Sequence, residues 1–315
     1  MNIVLLESLG IPDVLLNEYA KPLTDAGHHF AAYPKNIDPE VQIERARQAD
    51  VIMIANMPLS GQVISACEHL KFIDVAFTGV DHVDLEAARA KGIKVSNAAG
   101  YSTEAVAELT ICLILSLLRN VPQVEARCRK GKTKDGLVGF ELMGKTAGII
   151  GAGAIGIRTA ELLSAFGCKV LGYKRHLNGN EPSFMEFVSL DELLSRSDIV
   201  SLHCPLNEES RHLINRETIA KMKKGAYLVN AARGPVVDSS ALAEALNTGY
   251  LSGAGIDVFE TEPPLDPDHP LLKSKNTIVT THVAFASEQS MEARAKIVFD
   301  NIANWLDGCQ ANIIL

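Results

Sequence analysis

The 315-residue chain has no Cys-x-x-Cys pair, no surplus of basic residues and no apolar run long enough to cross a bilayer. Each absence removes a class of function. The six cysteines (Cys67, Cys112, Cys128, Cys168, Cys204 and Cys309) are widely spaced, and several sit in apolar runs such as "LTICLIL". They read as buried free thiols of a reducing compartment, neither a disulfide framework nor a metal cage. Lys plus Arg is 30 against 38 for Asp plus Glu, a net charge of −8. That leaves no basic stripe for nucleic acid. The longest apolar run, "LTICLILSLL", is shorter than a membrane span. The opening "MNIVLLESLG" has no basic leader, and Glu7 interrupts its apolar run, so it reads as a first strand and not a signal peptide. There is no short repeat and no low-complexity tract. The expectation is a cytoplasmic protein with no metal, no membrane and no nucleic acid among its partners.

What is present is alternation. In the first hundred residues "NIVLLE", "HHFAAY", "VIMIA", "KFIDVA" and "IKVSN" read as strands, with the helices "PDVLLNEYAKPLTDA", "PEVQIERARQ" and "DLEAARAK" between them. Such alternation predicts parallel strands in an α/β layer. A long helix, "STEAVAELTICLILSLLRN", follows. Ser102 or Thr103 is placed to cap it, its apolar stripe is broad enough for burial, and Pro122 starts another helix. From Lys145 the alternation resumes with "TAGIIG", "KVLGYK", "DIVSLH", "AYLVNAA", "LSGAGIDV" and "TIVTT", about six strands, the number of a dinucleotide-binding sheet. The last helix, "SEQSMEARAKIVFDNIANWLDG", has no strand after it in that sheet and is expected to return to the first domain.

Gly151, Gly153 and Gly156 form G-x-G-x-x-G. The first glycine permits a tight turn, the second lets backbone approach a pyrophosphate, and the third lets helix pack on strand. The helix that follows aims its first amides at negative charge. Three glycines at fixed spacing arise by chance in about one chain of this length in ten, given ordinary glycine usage. Here the motif leaves an apolar strand and opens a helix, the context that makes it informative. Where NAD-binding units carry an acidic residue for the ribose, this chain has Lys174, Arg175 and His176, with Lys174 standing 23 residues beyond Gly151. A carboxylate there would repel a 2′-phosphate; Lys174 or Arg175 would pair with one. The rival reading is a solvated loop tip.

Polar residues cluster after the later strands: Arg233 in "NAARGPVVD", Asp257 and Glu262 in "GIDVFETEPP", His282 in "TTHVAFAS". In an open parallel sheet, loops at the carboxyl ends of strands face the binding crevice. With these motifs in this order, together with "FTGVDHVDLEAARAKGIKVSNAAG", "VAELTICLILSLLR", "GFELMGKTAGIIGAGAIG" and "HCPLNEESRHLIN", nearly the whole chain resembles the D-isomer-specific 2-hydroxyacid dehydrogenases.

The resemblance implies two doubly wound parallel-sheet domains: a flavodoxin-like substrate domain, residues 1–98 with 287–315, and a Rossmann dinucleotide-binding domain, residues 99–286. It implies an NAD(P)-dependent oxidoreductase of small 2-hydroxy and 2-oxo acids, with NADP favoured by the Lys-Arg-His run and NAD accepted, and a homodimer. Arg233 would clamp the substrate carboxylate and carbonyl, His282 would exchange the proton, and Glu262 would orient and charge the imidazole. Asp257 would orient the nicotinamide end. The remaining cofactor contacts would come from Thr103, Gly151, Gly153, Ala154, Ile155, Gly156, Lys174, Arg175, Cys204, Pro205, Ala231 and Ala232, with Arg233 and His282. Asn56, Met57, Gly79 and Val80 would meet the substrate, the last two through backbone amides. Two departures bear on substrate size. Phe285 stands where many relatives have glycine, which narrows the pocket, and the loop before "GFEL" lacks a tryptophan common in them. Alternative readings are a nucleotide-sensing, corepressor-like binding protein, and a related dehydrogenase of another substrate such as phosphite.

Overall fold

A computed structural model describes residues 1–177, 179–262 and 264–315. It divides into two compact units, residues 1–102 with 286–315, and residues 103–285.

The first unit alternates β1 (Asn2–Leu5), α1 (Asp13–Asp25), β2 (His29–Ala32), α2 (Pro39–Ala46), β3 (Val51–Ile54), α3 (Gly61–Ala66), β4 (Phe72–Val75), α4 (Leu85–Ala90) and β5 (Lys94–Asn97). Its five strands are all parallel, in the order β2-β1-β3-β4-β5, the flavodoxin-like order. β3 and β4 are buried throughout, because helices cover both faces of a parallel sheet, so "VIMI" and "FIDV" show no in-out alternation. The short helix α3, capped by the Ser60 side chain, was not expected. Six residues opening on glycine carry too little periodicity to show.

The second unit opens with α5 (Thr103–Leu118) and α6 (Val121–Cys128). Then come β6 (Thr146–Ile150), α7 (Ala154–Ala165), β7 (Lys169–Tyr173), β8 (Met185–Phe187), α8 (Leu190–Arg196), β9 (Ile199–Leu202), α9 (Arg216–Lys221), β10 (Tyr227–Asn230), α10 (Ser239–Asn247), β11 (Gly253–Ile256) and β12 (Thr277–Val279). The sheet is parallel, in the order β12-β11-β10-β9-β6-β7-β8. That is the doubly wound dinucleotide-binding order with one strand more than the six expected; the extra β8 is a three-residue edge strand. The order reverses between β6 and β9, where ligands bind in open α/β sheets. One face packs under α5 and α7 through Ile111, Ile114, Leu117, Ile149, Leu163 and Val229. The other packs through Leu193, Val200, Leu228, Leu242 and Ile256.

The last helix, α11 (Glu288–Leu306), is part of the first unit. Trp305 stacks on Phe72 with centroids 4.9 Å apart, and Phe299 lies against Tyr19 and Phe30. Beyond it the chain runs antiparallel along β5, bridging Ile313 to Ser96.

All six cysteines are free, but the expectation that they are buried needs correcting. Cys67 and Cys168 are buried and Cys204 partly so, whereas Cys112, Cys128 and Cys309 are exposed. Cys112 lies on the outward side of α5, between the buried Ile111 and Leu113, and a uniformly apolar run conceals which side faces out. Among the described residues no single helix is long and apolar enough to cross a membrane.

Asp74, within β4, is buried. Its Oδ1 accepts from Asn301 Nδ2 of α11 at 2.9 Å, while Oδ2 has no partner among the described residues. Burial raises its pKa well above the ordinary value, against a smaller lowering by Asn301. The unfolded chain therefore releases this proton before the folded one does, and stability falls as pH rises from the unfolded value toward the folded one. Asp74→Asn removes that loss. Its stability advantage over wild type should grow with pH by up to about 1.4 kcal/mol per unit within that window. Denaturant midpoints measured from pH 4 to pH 8 check this; parallel curves would show that Asp74 titrates normally.

Candidate active site

Because all strands of the second sheet are parallel, the loops leaving β6, β7, β9, β10, β11 and β12 emerge at one edge. They carry Gly151, Arg175, Cys204, Arg233, Asp257 and His282 respectively. The turn after β6 is fitted tightly on two sides. A Cβ on Gly151 (φ +99°) would lie 2.5 Å from the Cys204 amide nitrogen, and one on Gly156 would lie 2.1 Å from the Gly151 carbonyl oxygen. Gly153 differs, with nothing within 4 Å of where its Cβ would stand. It is also the N-cap of α7 and supplies no side chain to the first amides. Open space in front of uncapped amides, beginning at Ala154 and Ile155, fits the pyrophosphate of a dinucleotide.

Beside that turn, burial pushes the His203 imidazole down to about 4, so it is neutral at physiological pH. Its Nε2 lies 2.9 Å from Ser201 Oγ. The same cause pushes the Cys204 thiol up to about 11, which removes it as a nucleophile.

Arg233 follows β10 on a turn held from within. Asn230, buried at the strand end, donates from Nδ2 to the Arg233 carbonyl (2.9 Å) and accepts from the Ala232 amide (3.0 Å). Next to it, a Cβ on Gly234 would overlap the Phe259 carbonyl at 1.9 Å. The Arg233 turn thus lies flat on the backbone of the segment that leads to Glu262. Arg233 itself is half-buried, with Nη1 donating to the Ala232 carbonyl at 2.8 Å.

His282 and Glu262 are brought together: Nδ1 lies 2.8 and 3.0 Å from the two carboxylate oxygens. The histidine side chain is 11% exposed and the glutamate 49%. His282 has φ 55°, a left-handed conformation that costs a non-glycine residue about 1–3 kcal/mol. Asp257 holds it there. Fully buried, it accepts from Thr280 Oγ1 (2.5 Å) and the Val283 amide (2.9 Å) at Oδ1, and from the Ala284 amide (2.9 Å) at Oδ2. Its own carbonyl receives the His282 amide at 2.7 Å. The Asp257 carboxylate organises the turn that presents His282. Phe285 sets its ring edgewise to His282, with centroids 5.4 Å apart and planes at 89°.

Of the cationic run, Arg175 is exposed and forms an ion pair with Glu209, which lies beyond β9. Lys174 is half-buried. Thr103 is the first residue of α5. Among the described residues no group of three His, Cys, Asp or Glu side chains could hold a metal ion.

In the first unit, Asn56 and Met57 follow β3, and Gly79 and Val80 follow β4. Glu7, nearly buried, accepts from the amides of Ala55 and Met57 at 2.7 Å each. Lys35 reaches both Asn56 Oδ1 (3.3 Å) and Glu7 (3.8 Å). Asn97 ties down the neighbouring loop through the Thr78 carbonyl at 2.7 Å.

Comparison with known proteins bears directly on this edge. Residues 111–284 match the model of the D-isomer specific 2-hydroxyacid dehydrogenase NAD binding domain. The chain belongs to the D-isomer-specific 2-hydroxyacid dehydrogenase family. A glyoxylate reductase of Thermofilum pendens is 40% identical over 289 residues, covering 89% of this chain and 85% of that protein. Two solved structures superpose on the whole chain. One is an acyclic imino acid reductase in complex with NADPH and D-Arg (27% identity, TM-score 0.91, all of that chain covered). The other is the D-lactate dehydrogenase of Aquifex aeolicus complexed with NAD and lactic acid (32%, 0.89, 99% covered). As a member of the family the chain is an oxidoreductase of 2-hydroxyacids with an NAD-binding domain. These relatives do not favour the corepressor reading.

Sequence reasoning missed Glu7, Asn230 and Thr280. Asn230 had a local signal, a polar residue ending an apolar strand before "AARG". The partners of Glu7 and Thr280 lie 48 and 23 residues away, and no local pattern announces them.

Proposed function

We propose that the chain catalyses the reversible reduction of a small 2-oxo acid to its D-2-hydroxy acid with NADPH, and less readily with NADH. The observation that carries this reading is the Glu262–His282 pair on a turn fixed by Asp257, at the sheet edge that also holds Arg233 and the glycine turn. Gly151, Gly153 and Gly156 with the first amides of α7 hold the pyrophosphate. Cys204, Pro205, Ala231, Ala232 and Thr103 border the rest of the dinucleotide, and Lys174 and Arg175 receive the 2′-phosphate. Bound there, the nicotinamide supplies hydride in reduction and accepts it in oxidation.

The protein's own part is placement and proton transfer. Arg233 binds the substrate carboxylate and carbonyl through its planar guanidinium. Nδ1 of His282 is committed to Glu262, so Nε2 gives its proton to the carbonyl oxygen in reduction and takes it back in oxidation. The Glu262 carboxylate fixes the ring in place. Phe285, edge-on to that ring, narrows the space beside it, which favours a substrate as small as glyoxylate.

The chain acts as a homodimer. Supporting this are the exposed apolar side chains Val121, Val138, Phe140 and Met143 on and after α6, a concentration that marks an association surface. Six free thiols support a reducing, cytoplasmic setting.

The experiment is cofactor oxidation with glyoxylate, hydroxypyruvate, pyruvate and longer 2-oxo acids, run with NADPH and with NADH. The smallest acids should have the highest kcat/KM, with NADPH ahead of NADH. His282→Ala should lower kcat at least about a hundredfold with dinucleotide binding retained, and Arg233→Ala should harm both KM and kcat. No turnover with any acid would sink the reading. Solution mass at micromolar concentration should be twice that of the chain; a monomer would contradict the dimer.

A further inference from the structure

Arg175 leaves β7 and Glu209 lies in the turn after β9, while β6 runs between those two strands in the sheet. The ion pair that joins them therefore spans the exit of β6, where the glycine turn begins. Resting on the proposal that Arg175 receives the adenosine end of the cofactor, we infer that Glu209 is a specificity-determining residue: it holds Arg175 in an ion pair that a 2′-phosphate must displace, and so limits the preference for NADPH over NADH.

Glu209 is held in place by its backbone. The Asn207 side chain accepts from the Glu209 amide (3.1 Å) and the Ser210 amide (2.9 Å). Ser210 Oγ donates to the Pro205 carbonyl at 2.7 Å and receives the Asn207 amide at 2.8 Å. This turn is tied to the "HCP" segment that presses on Gly151, so its backbone does not follow Arg175 when Arg175 moves. Both side chains are about half-exposed or more, at 49% and 67%, so the pair is weak enough for a dianionic phosphate to exchange with the carboxylate. After the exchange the Glu209 charge remains near the phosphate and opposes it, less so as salt screens the two.

For NADH the same carboxylate has the opposite effect. A ribose 2′-hydroxyl is a donor, and a carboxylate near it accepts its hydrogen bond. In dinucleotide-binding units that carboxylate usually ends the second strand. Here that position is cationic, and the Glu209 carboxylate meets Arg175 from the other side of β6. A chain built this way binds both cofactors, and the ratio between them is set by one charge.

Calorimetric titration of the wild type, Glu209→Gln, Arg175→Ala and the double variant with NADPH and with NADH tests this. Glu209→Gln should lower the Kd for NADPH by about three- to tenfold and leave that for NADH unchanged or raised. In the wild type, added salt should narrow the difference from Glu209→Gln. If Arg175→Ala weakens NADPH binding while Glu209→Gln leaves it unchanged or weaker, the role of Glu209 is overturned and that of Arg175 stands. If Arg175→Ala leaves NADPH binding intact, the underlying assignment fails, and this inference with it.

Discussion

One buried carboxylate organises the catalytic edge. Asp257 sits at the end of β11 with no exposure and places three donors, the Thr280 hydroxyl and the Val283 and Ala284 amides, on its two oxygens. Hydrogen bonds to a charged group contribute about 1.5–3 kcal/mol each. Three of them offset the cost of about 1–3 kcal/mol for the left-handed conformation at His282. The turn is fixed first, and the imidazole is then aimed at Glu262. Without Asp257 the His282 backbone would relax out of its strained region, and the pair would lose its geometry before it lost its chemistry.

Much of this was legible in the sequence. All five strands of the first sheet, and six of the second, stood out as apolar runs between amphipathic segments, because a parallel sheet covered on both faces needs continuous apolar strands. Polar residues just beyond strands of a parallel sheet converge at one edge, which gathered Arg233, Asp257, Glu262 and His282, and the family resemblance implied the pairing of His282 with Glu262. What escaped notice was short or long-range. β8 and α3 contain too few residues for a period. Glu7 read only as an interruption of an apolar run, and its partners are set by the tertiary fold. The six cysteines showed the opposite limit, since sequence apolarity could not tell the inward from the outward side of α5.

The same edge has a second electrostatic centre, the Arg175–Glu209 pair beside the glycine turn. There the sequence showed cations where an acid is usual, and the structure adds the acid back from the neighbouring turn as Glu209. Burial separates the two centres in character. Asp257 is sealed and positional, and its hydrogen bonds are insensitive to salt. The Arg175–Glu209 pair is solvated and exchangeable, the character that the proposed discrimination between two cofactors requires.

The claim on which the rest depends is that Asp257 acts by positioning His282. Asp257→Asn preserves volume but replaces one acceptor oxygen with a donor that faces a backbone amide, that of Val283 or of Ala284. Steady-state turnover and calorimetric NADPH affinity of that variant are the direct measurement. A fall in kcat of at least about tenfold is expected, as when a reacting group is displaced by a fraction of an ångström, with KM moderately raised and NADPH Kd nearly unchanged. Wild-type kcat in Asp257→Asn, or a loss confined to cofactor affinity, would contradict it.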